Sequence, residues 1–171
     1  MLLPFLAFSQ SVNELDASGK KQGIWTKTYK NGNLRYRGQF KDDKPQGLFY
    51  YYQTSGELLA EKKFFHNGTA AASHIFYKGG ELQASGLYVN ELKDSTWNYY
   101  NRDSLLIMSE EYKEGKLNGT TKTYYYEGSI YEIKSWNKDV LDGKWEQFFM
   151  DGTLKMQSAY NQGKRDGKQT Y

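Results

Sequence analysis

The chain has 171 residues, enough for one domain. Its 23 basic and 20 acidic side chains leave a net charge of +3, too even a balance for the concentrated basic face that nucleic acid demands. With no Cys and only two His, a thiolate metal site, a Cys nucleophile and any disulfide are excluded. Leu, Ile, Val and Phe make up about a fifth of the chain, close to the composition of disordered proteins. Disordered chains lack aromatics, however, and this one carries 16 Tyr, 9 Phe and 4 Trp. Amphipathic rings therefore replace aliphatic side chains, and the expectation is a thin fold with little dry interior.

Residues 1–9 of the apolar opening MLLPFLAFSQ read as the end of a secretory signal, with Ala7 and Ser9 at −3 and −1 of a cut before Gln10. The expected location is therefore exported: periplasm, outer surface or secreted. It would be cytoplasmic if this stretch is not a signal. Residues 10–22, polar with one Gly, read as a linker or an N-terminal cap on a sheet edge.

From Gly23 onward the sequence repeats every 24 residues. Six full repeats are expected (23–46, 47–70, 71–94, 95–118, 119–142 and 143–166), followed by a partial seventh over 167–171. The first position is always Gly, Ala or Ser. Two residues on stand Trp25, Phe49, Ser73, Trp97, Thr121 and Trp145. Seventeen on stand Phe40, Phe64, Tyr88, Tyr112, Trp136 and Tyr160, aromatic in all six, which chance gives about once in 40,000 columns.

Each repeat carries a first turn signal ending at Gly32, Gly56, Gly80, Gly128 and Gly152, with Ser104 in the fourth. A second turn is expected at the repeat junction, at Asn118-Gly119, Asp142-Gly143 and Asp166-Gly167. The intervening segments are of strand length, and Leu34, Tyr36, Gly38 and Phe40 alternate with Arg35, Arg37 and Gln39 as a strand does. The first segment is less regular, since its second and fifth positions have opposite parity; a bulge or two decorated faces is expected there. In the fifth repeat Glu132 and Lys134 break the apolar face, which predicts a sheet wet on both sides, or bulged, at that point. The fold class is thus all-β: an elongated single-layer antiparallel meander, or solenoid, of 24-residue hairpins.

The motifs GIWTKTYKNGNL and GKWEQFFMDGTL resemble the MORN repeat, more closely its bacterial variant in YwqK-family antitoxins of toxin–antitoxin systems. The resemblance covers residues 23–171 and implies an elongated sheet used as an interaction scaffold, with proteins as partners for some relatives and phospholipids proposed for others. A cytoplasmic antitoxin does not carry an export signal, so the opening segment argues against that particular role. The third repeat departs from the pattern at Ala71 and Ser73.

No catalytic constellation is read. His66 and His74 stand alone, the pairs Asp42-Asp43 and Glu110-Glu111 lie in or beside turns, and no calcium-loop, zinc or nucleotide motif occurs. No metal or cofactor is expected, and the chain is read as a non-enzyme. Lys44, Lys116 and Lys164 near the junctions read as solubilising edge charges. The candidate recognition residues are aromatic: Tyr29, Tyr77, Tyr125 and Phe149, in a column that alternates with Gln53 and Asn101, and the column residues Trp25, Trp97 and Trp145. A protein partner is expected first, with a cell-wall glycan as the alternative and membrane lipid disfavoured by the near-neutral charge.

Overall fold

The computed structural model describes residues 11–170. They form one fourteen-stranded antiparallel sheet in which every strand pairs with its neighbours in sequence. The strands are β1 (Glu14–Leu15), β2 (Lys21–Thr28), β3 (Leu34–Lys41), β4 (Lys44–Tyr52), β5 (Leu58–Phe65), β6 (Ala70–Phe76), β7 (Leu82–Val89), β8 (Leu92–Tyr100), β9 (Leu106–Lys113), β10 (Lys116–Tyr124), β11 (Ile130–Asn137), β12 (Val140–Phe148), β13 (Leu154–Asn161) and β14 (Lys164–Thr170). Between β5 and β6 lies a three-residue 3-10 turn, His66–Gly68; no α-helix occurs among the described residues. At about 4.8 Å per strand the sheet spans roughly 60 Å. The proposed signal segment, residues 1–9, lies outside the described residues.

Two turn types alternate along the sheet. At one edge a tight turn closes each hairpin, with the Gly32 N–H donating to the Tyr29 carbonyl (3.0 Å) and the Tyr29 N–H to that of Asn33 (2.8 Å). The same pair recurs at Gln53, Tyr77, Asn101, Tyr125 and Phe149. The fourth residue of each turn has positive φ, from 83° to 100° at Gly32, Gly56, Gly80, Gly128 and Gly152, and 62° at Ser104. A type I turn followed by a left-handed residue matches the right-handed twist of the flanking strands, which is why Gly fills this column.

At the other edge the turns fall four residues earlier than the junction glycines suggested. They are two-residue turns with both φ positive: Asp42-Asp43, Asn90-Glu91, Glu114-Gly115, Lys138-Asp139 and Gln162-Gly163. The junction position itself sits inside the following strand as a bulge, again with positive φ at Gly47, Ser95, Gly119, Gly143 and Gly167. Across each of these bulges the pairing register slips, for example from Arg37↔Tyr50 to Gln39↔Gln46. Junction glycines are thus bulge residues rather than turn residues.

The third repeat is the exception. Ala71 lacks positive φ, and β5 pairs with β6 in one unbroken register from Phe65↔Ala70 to Ala60↔Ile75. The two residues absorbed by a bulge elsewhere move into the loop, which therefore runs His66-Asn67-Gly68-Thr69. This loop folds back on β4. A Cβ at Gly68 (φ 83°) would come within 2.6 Å of Pro45 Cδ, so only Gly allows the approach.

Residues 12–15 lie along β2. Val12 bridges Ile24, and the Asn13 side chain accepts the Thr26 N–H (2.8 Å), satisfying part of an otherwise open strand edge.

A single layer still builds a core, because one face is crossed by three rows of side chains. The central row runs Trp25, Gly38, Phe49, Lys62, Ser73, Gly86, Trp97, Glu110, Thr121, Lys134, Trp145 and Ser158, as the cross-strand pairs show. Large rings lie over small neighbours: the Phe49 ring occupies the space a Cβ on Gly38 would need, and Trp97 does the same over Gly86. Phe49 and Trp97 are consequently 2% and 0% exposed. Nearly every buried residue belongs to these rows, including Ala60, Ala71, Ala84, Ser73, Thr121, Glu132, Met156 and Ser158. The other face carries the offset-five column, Tyr52, Phe76, Tyr100, Tyr124 and Phe148, so both faces are decorated and the first strand is bulged as well.

Of the two alternatives expected in the fifth repeat, wet on both sides or bulged, the register slips flanking Glu132 show the bulge, and Glu132 itself is buried rather than wet. It is 8% exposed and accepts from Trp145 Nε1 (2.7 Å), Gln147 Nε2 (2.9 Å) and Lys134 Nζ (2.6 Å). The register slips flanking it recur in the other hairpins, so the charge interrupts the apolar pattern without disturbing the sheet.

Candidate functional site

The candidate aromatic residues fall into two groups. Tyr29, Tyr77, Tyr125 and Phe149 each open a tight turn at one sheet edge. The three tyrosines share one task. Their hydroxyls donate to the carbonyl preceding the turn of the next repeat, at Tyr52 (2.8 Å), Tyr100 (2.9 Å) and Phe148 (2.9 Å). Repeats are thereby joined in pairs, which explains why the column alternates with Gln53 and Asn101: a second Tyr on the receiving turn is not needed. Phe149 has no hydroxyl and stands 49% exposed, with Met150 exposed beside it and the Lys155 ammonium 5.7 Å from its ring.

Trp25, Trp97 and Trp145 lie in the central row of the aromatic face. Each indole N–H is satisfied internally, by the Gln22 carbonyl, the Leu87 carbonyl and Glu132 respectively. Lysines cover them: Lys21 lies 4.9 Å from the Trp25 ring, Lys93 4.7 Å from Trp97 and Lys134 5.0 Å from Trp145. Trp97 offers no surface to a ligand.

The face has one hollow that the sequence reading did not single out. Edge-to-face rings run from Trp25 to Phe40 (6.2 Å), Phe40 to Phe49 (5.2 Å) and Phe49 to Phe64 (4.9 Å). The series resumes only at Tyr88 and Trp97 (4.9 Å). Between them stand Ala71 and Ser73, the small residues of the third repeat. The gap is an open cleft of about 430 Å³, walled by Phe40, Phe49, Phe64, Tyr51 and Tyr88 and closed at one end by Pro45, Gly68 and Thr69 of the displaced loop. The same deviation therefore removes the ring and builds the wall. The signal that would have found it was present: Ala71, Ser73 and the FHNGT loop all depart from the repeat within ten residues.

Lys62 projects into this cleft. Its ammonium lies 4.0 Å from the Tyr88 ring centroid and 5.9 Å from that of Tyr51. Burial holds the Lys62 pKa below its ordinary value, against the opposing pull of Glu91 at the rim. Burial pushes the Tyr51 phenol up to about 12, with Tyr36 adding to it, and raises Tyr88. The two phenols therefore stay protonated at neutral pH, and the cleft sets the Lys62 amine beside them among rings.

Among the described residues no group of three or more His, Asp or Glu side chains is placed to hold a metal, and no helix is long and apolar enough to cross a membrane.

Fold and site together define an all-β hairpin-repeat protein with an aromatic face. No family model matches the chain, and no curated protein matches it. A solved structure, the crystal structure of TarM, aligns at 12% identity with a TM-score of 0.41, over 52% of this chain and 18% of its own. The chain thus spans about a fifth of that protein, and no functional argument rests on the likeness.

Proposed function

We propose that this protein is a non-catalytic, exported repeat scaffold that seats a protein partner on its aromatic face, centred on the cleft over Ala70 and Ala71. One observation carries the reading. At the third repeat the ring series breaks, and the break is a walled hollow rather than a collapsed core. Rings that pack against each other on one side and face a cleft on the other are good anchors, because they bury area at low entropy cost. The resemblance of the 24-residue columns to MORN repeats, and to the repeats of YwqK-family antitoxins, supports an interaction scaffold. The apolar opening residues support export. A glycan is the second reading, favoured by the cleft's volume and its ring walls, against which a sugar stacks.

The test is Thr69→Trp, which sets a ring into the hollow from an exposed residue of its wall. Partner capture from an envelope extract by the native protein is expected to be lost in this variant, while circular dichroism and melting temperature stay native. Retention of the same partner at equal affinity would sink the proposal. Capture of an oligosaccharide in place of a protein moves the assignment to the glycan reading.

A further inference from the structure

We propose that the cleft over Ala70 and Ala71 is a carboxylate-binding site, and that Lys62 recognises an acidic side chain that a partner polypeptide presents next to an apolar one. The inference rests on the scaffold reading above and names the chemistry of its site.

The four lysines that touch the aromatic face differ in how their charge is met. Lys93 donates to the Tyr99 hydroxyl at 2.7 Å, and Lys134 pairs with Glu132 at 2.6 Å. Lys21 lies between the Trp25 and Phe40 rings; it shares the Phe40 wall but does not itself line the cleft. Lys62 lines the cleft and makes no hydrogen bond or ion pair among the described residues. Tyr88 holds its ammonium in place, so its three N–H donors are pre-oriented and partly dehydrated before any ligand arrives. A ring face stabilises a cation but satisfies none of its donors. An incoming carboxylate does both, by a charge-assisted hydrogen bond in a partly water-excluded site.

The Tyr51 and Tyr88 hydroxyls make no hydrogen bond among the described residues either, and both belong to residues that line the cleft. They add donors suited to an anion. Phe40, Phe49 and Phe64 supply apolar wall for a neighbouring side chain.

Glu91 tempers the site's positive charge. It lines the rim and favours the protonated Lys62, yet stands beyond ion-pair distance. With one positive and one negative group, the site is close to neutral. A carboxylate in contact with Lys62 gains more from it than it loses to the more distant Glu91.

Binding of N-acetylated, C-amidated phenylalanyl-glutamate and phenylalanyl-glutamine to the full chain, followed by amide and lysine resonances in NMR, tests this. The glutamate peptide is expected to bind about tenfold tighter and to shift Lys62, Ala71 and Tyr88. Lys62→Met is expected to erase the difference between the peptides. Glu91→Gln, an exposed rim change that leaves the rows untouched, is expected to widen it. Equal affinity of the two peptides with shifts at the cleft would overturn the carboxylate assignment and leave the scaffold reading standing. Shifts elsewhere, or none at millimolar peptide, overturn it as well. Tighter binding of glucuronate than of the glutamate peptide, at the same residues, overturns the polypeptide occupant in favour of an acidic sugar. Partner capture undiminished by Thr69→Trp removes the scaffold reading itself.

Discussion

Glu132 shows how this sheet accommodates a side chain that its pattern excludes. Burial alone would raise its pKa above 4.5, but hydrogen bonds from Gln147, Lys134 and Trp145 outweigh the desolvation and lower it. A group whose folded pKa is depressed adds stability above its unfolded value and loses it as pH falls through the folded one. The native protein is therefore expected to lose melting temperature as pH falls from about 5 to 3, and Glu132→Gln to flatten that slope. At neutral pH the same variant leaves Lys134 without its carboxylate and is expected to cost about 1–3 kcal/mol by denaturant titration. An unchanged slope would show that Glu132 is not the titrating group. The sequence displayed the anomaly, a charge in an apolar column, but not its resolution. The three donors come from β11 and β12, and only strand register brings them together.

At the scale of the hairpin, the column that alternates Tyr with polar residues is a device joining repeats in pairs. The backbone ladder holds a hairpin to its neighbour through the strands, while the turn tips are held by the tyrosine hydroxyls. Tyr77→Phe removes the bond to the Tyr100 carbonyl and keeps the ring. It is expected to lower stability by about 1 kcal/mol and to speed amide exchange in the turns around Gly80 and Ser104 more than elsewhere. No change in either quantity would return Tyr77 to the list of free surface residues. The existence, length and pairing order of the hairpins were legible from the 24-residue period and the turn glycines. The position of the junction turns was not. A Gly at positive φ serves a turn and a bulge equally well, and the choice depends on which cross-strand partner it meets. The third repeat carries the same lesson: Ala71 disfavours positive φ, so the bulge is lost and the loop lengthens.

Over the whole molecule, each strand pairs only with its sequence neighbours, and stability is close to a sum of nearest-neighbour terms. Damage is then local. Trp97→Ala opens a cavity beside Gly86 and Tyr88 and is expected to cost about 3–5 kcal/mol. Native-state hydrogen exchange is expected to show protection lost in β7, β8 and β9 while β12 and β13 keep theirs. Uniform loss along the sheet would mean that the meander unfolds as one unit.

The division between sequence and tertiary structure follows from range. Period, turn chemistry and side-chain alternation are local, so the amino-acid sequence alone determined an all-β meander of 24-residue hairpins with its aromatics in columns. Which columns share a face, where Glu132 finds its donors and where the rings leave a hollow depend on pairing register across strands. A bulge at the start of one strand shifts that register by two residues and moves the slack into a loop. The cleft that holds Lys62 exists because one bulge of the series is absent. Its wall is a loop from one hairpin lying on the strand of another, and that contact exists only once the strands have paired.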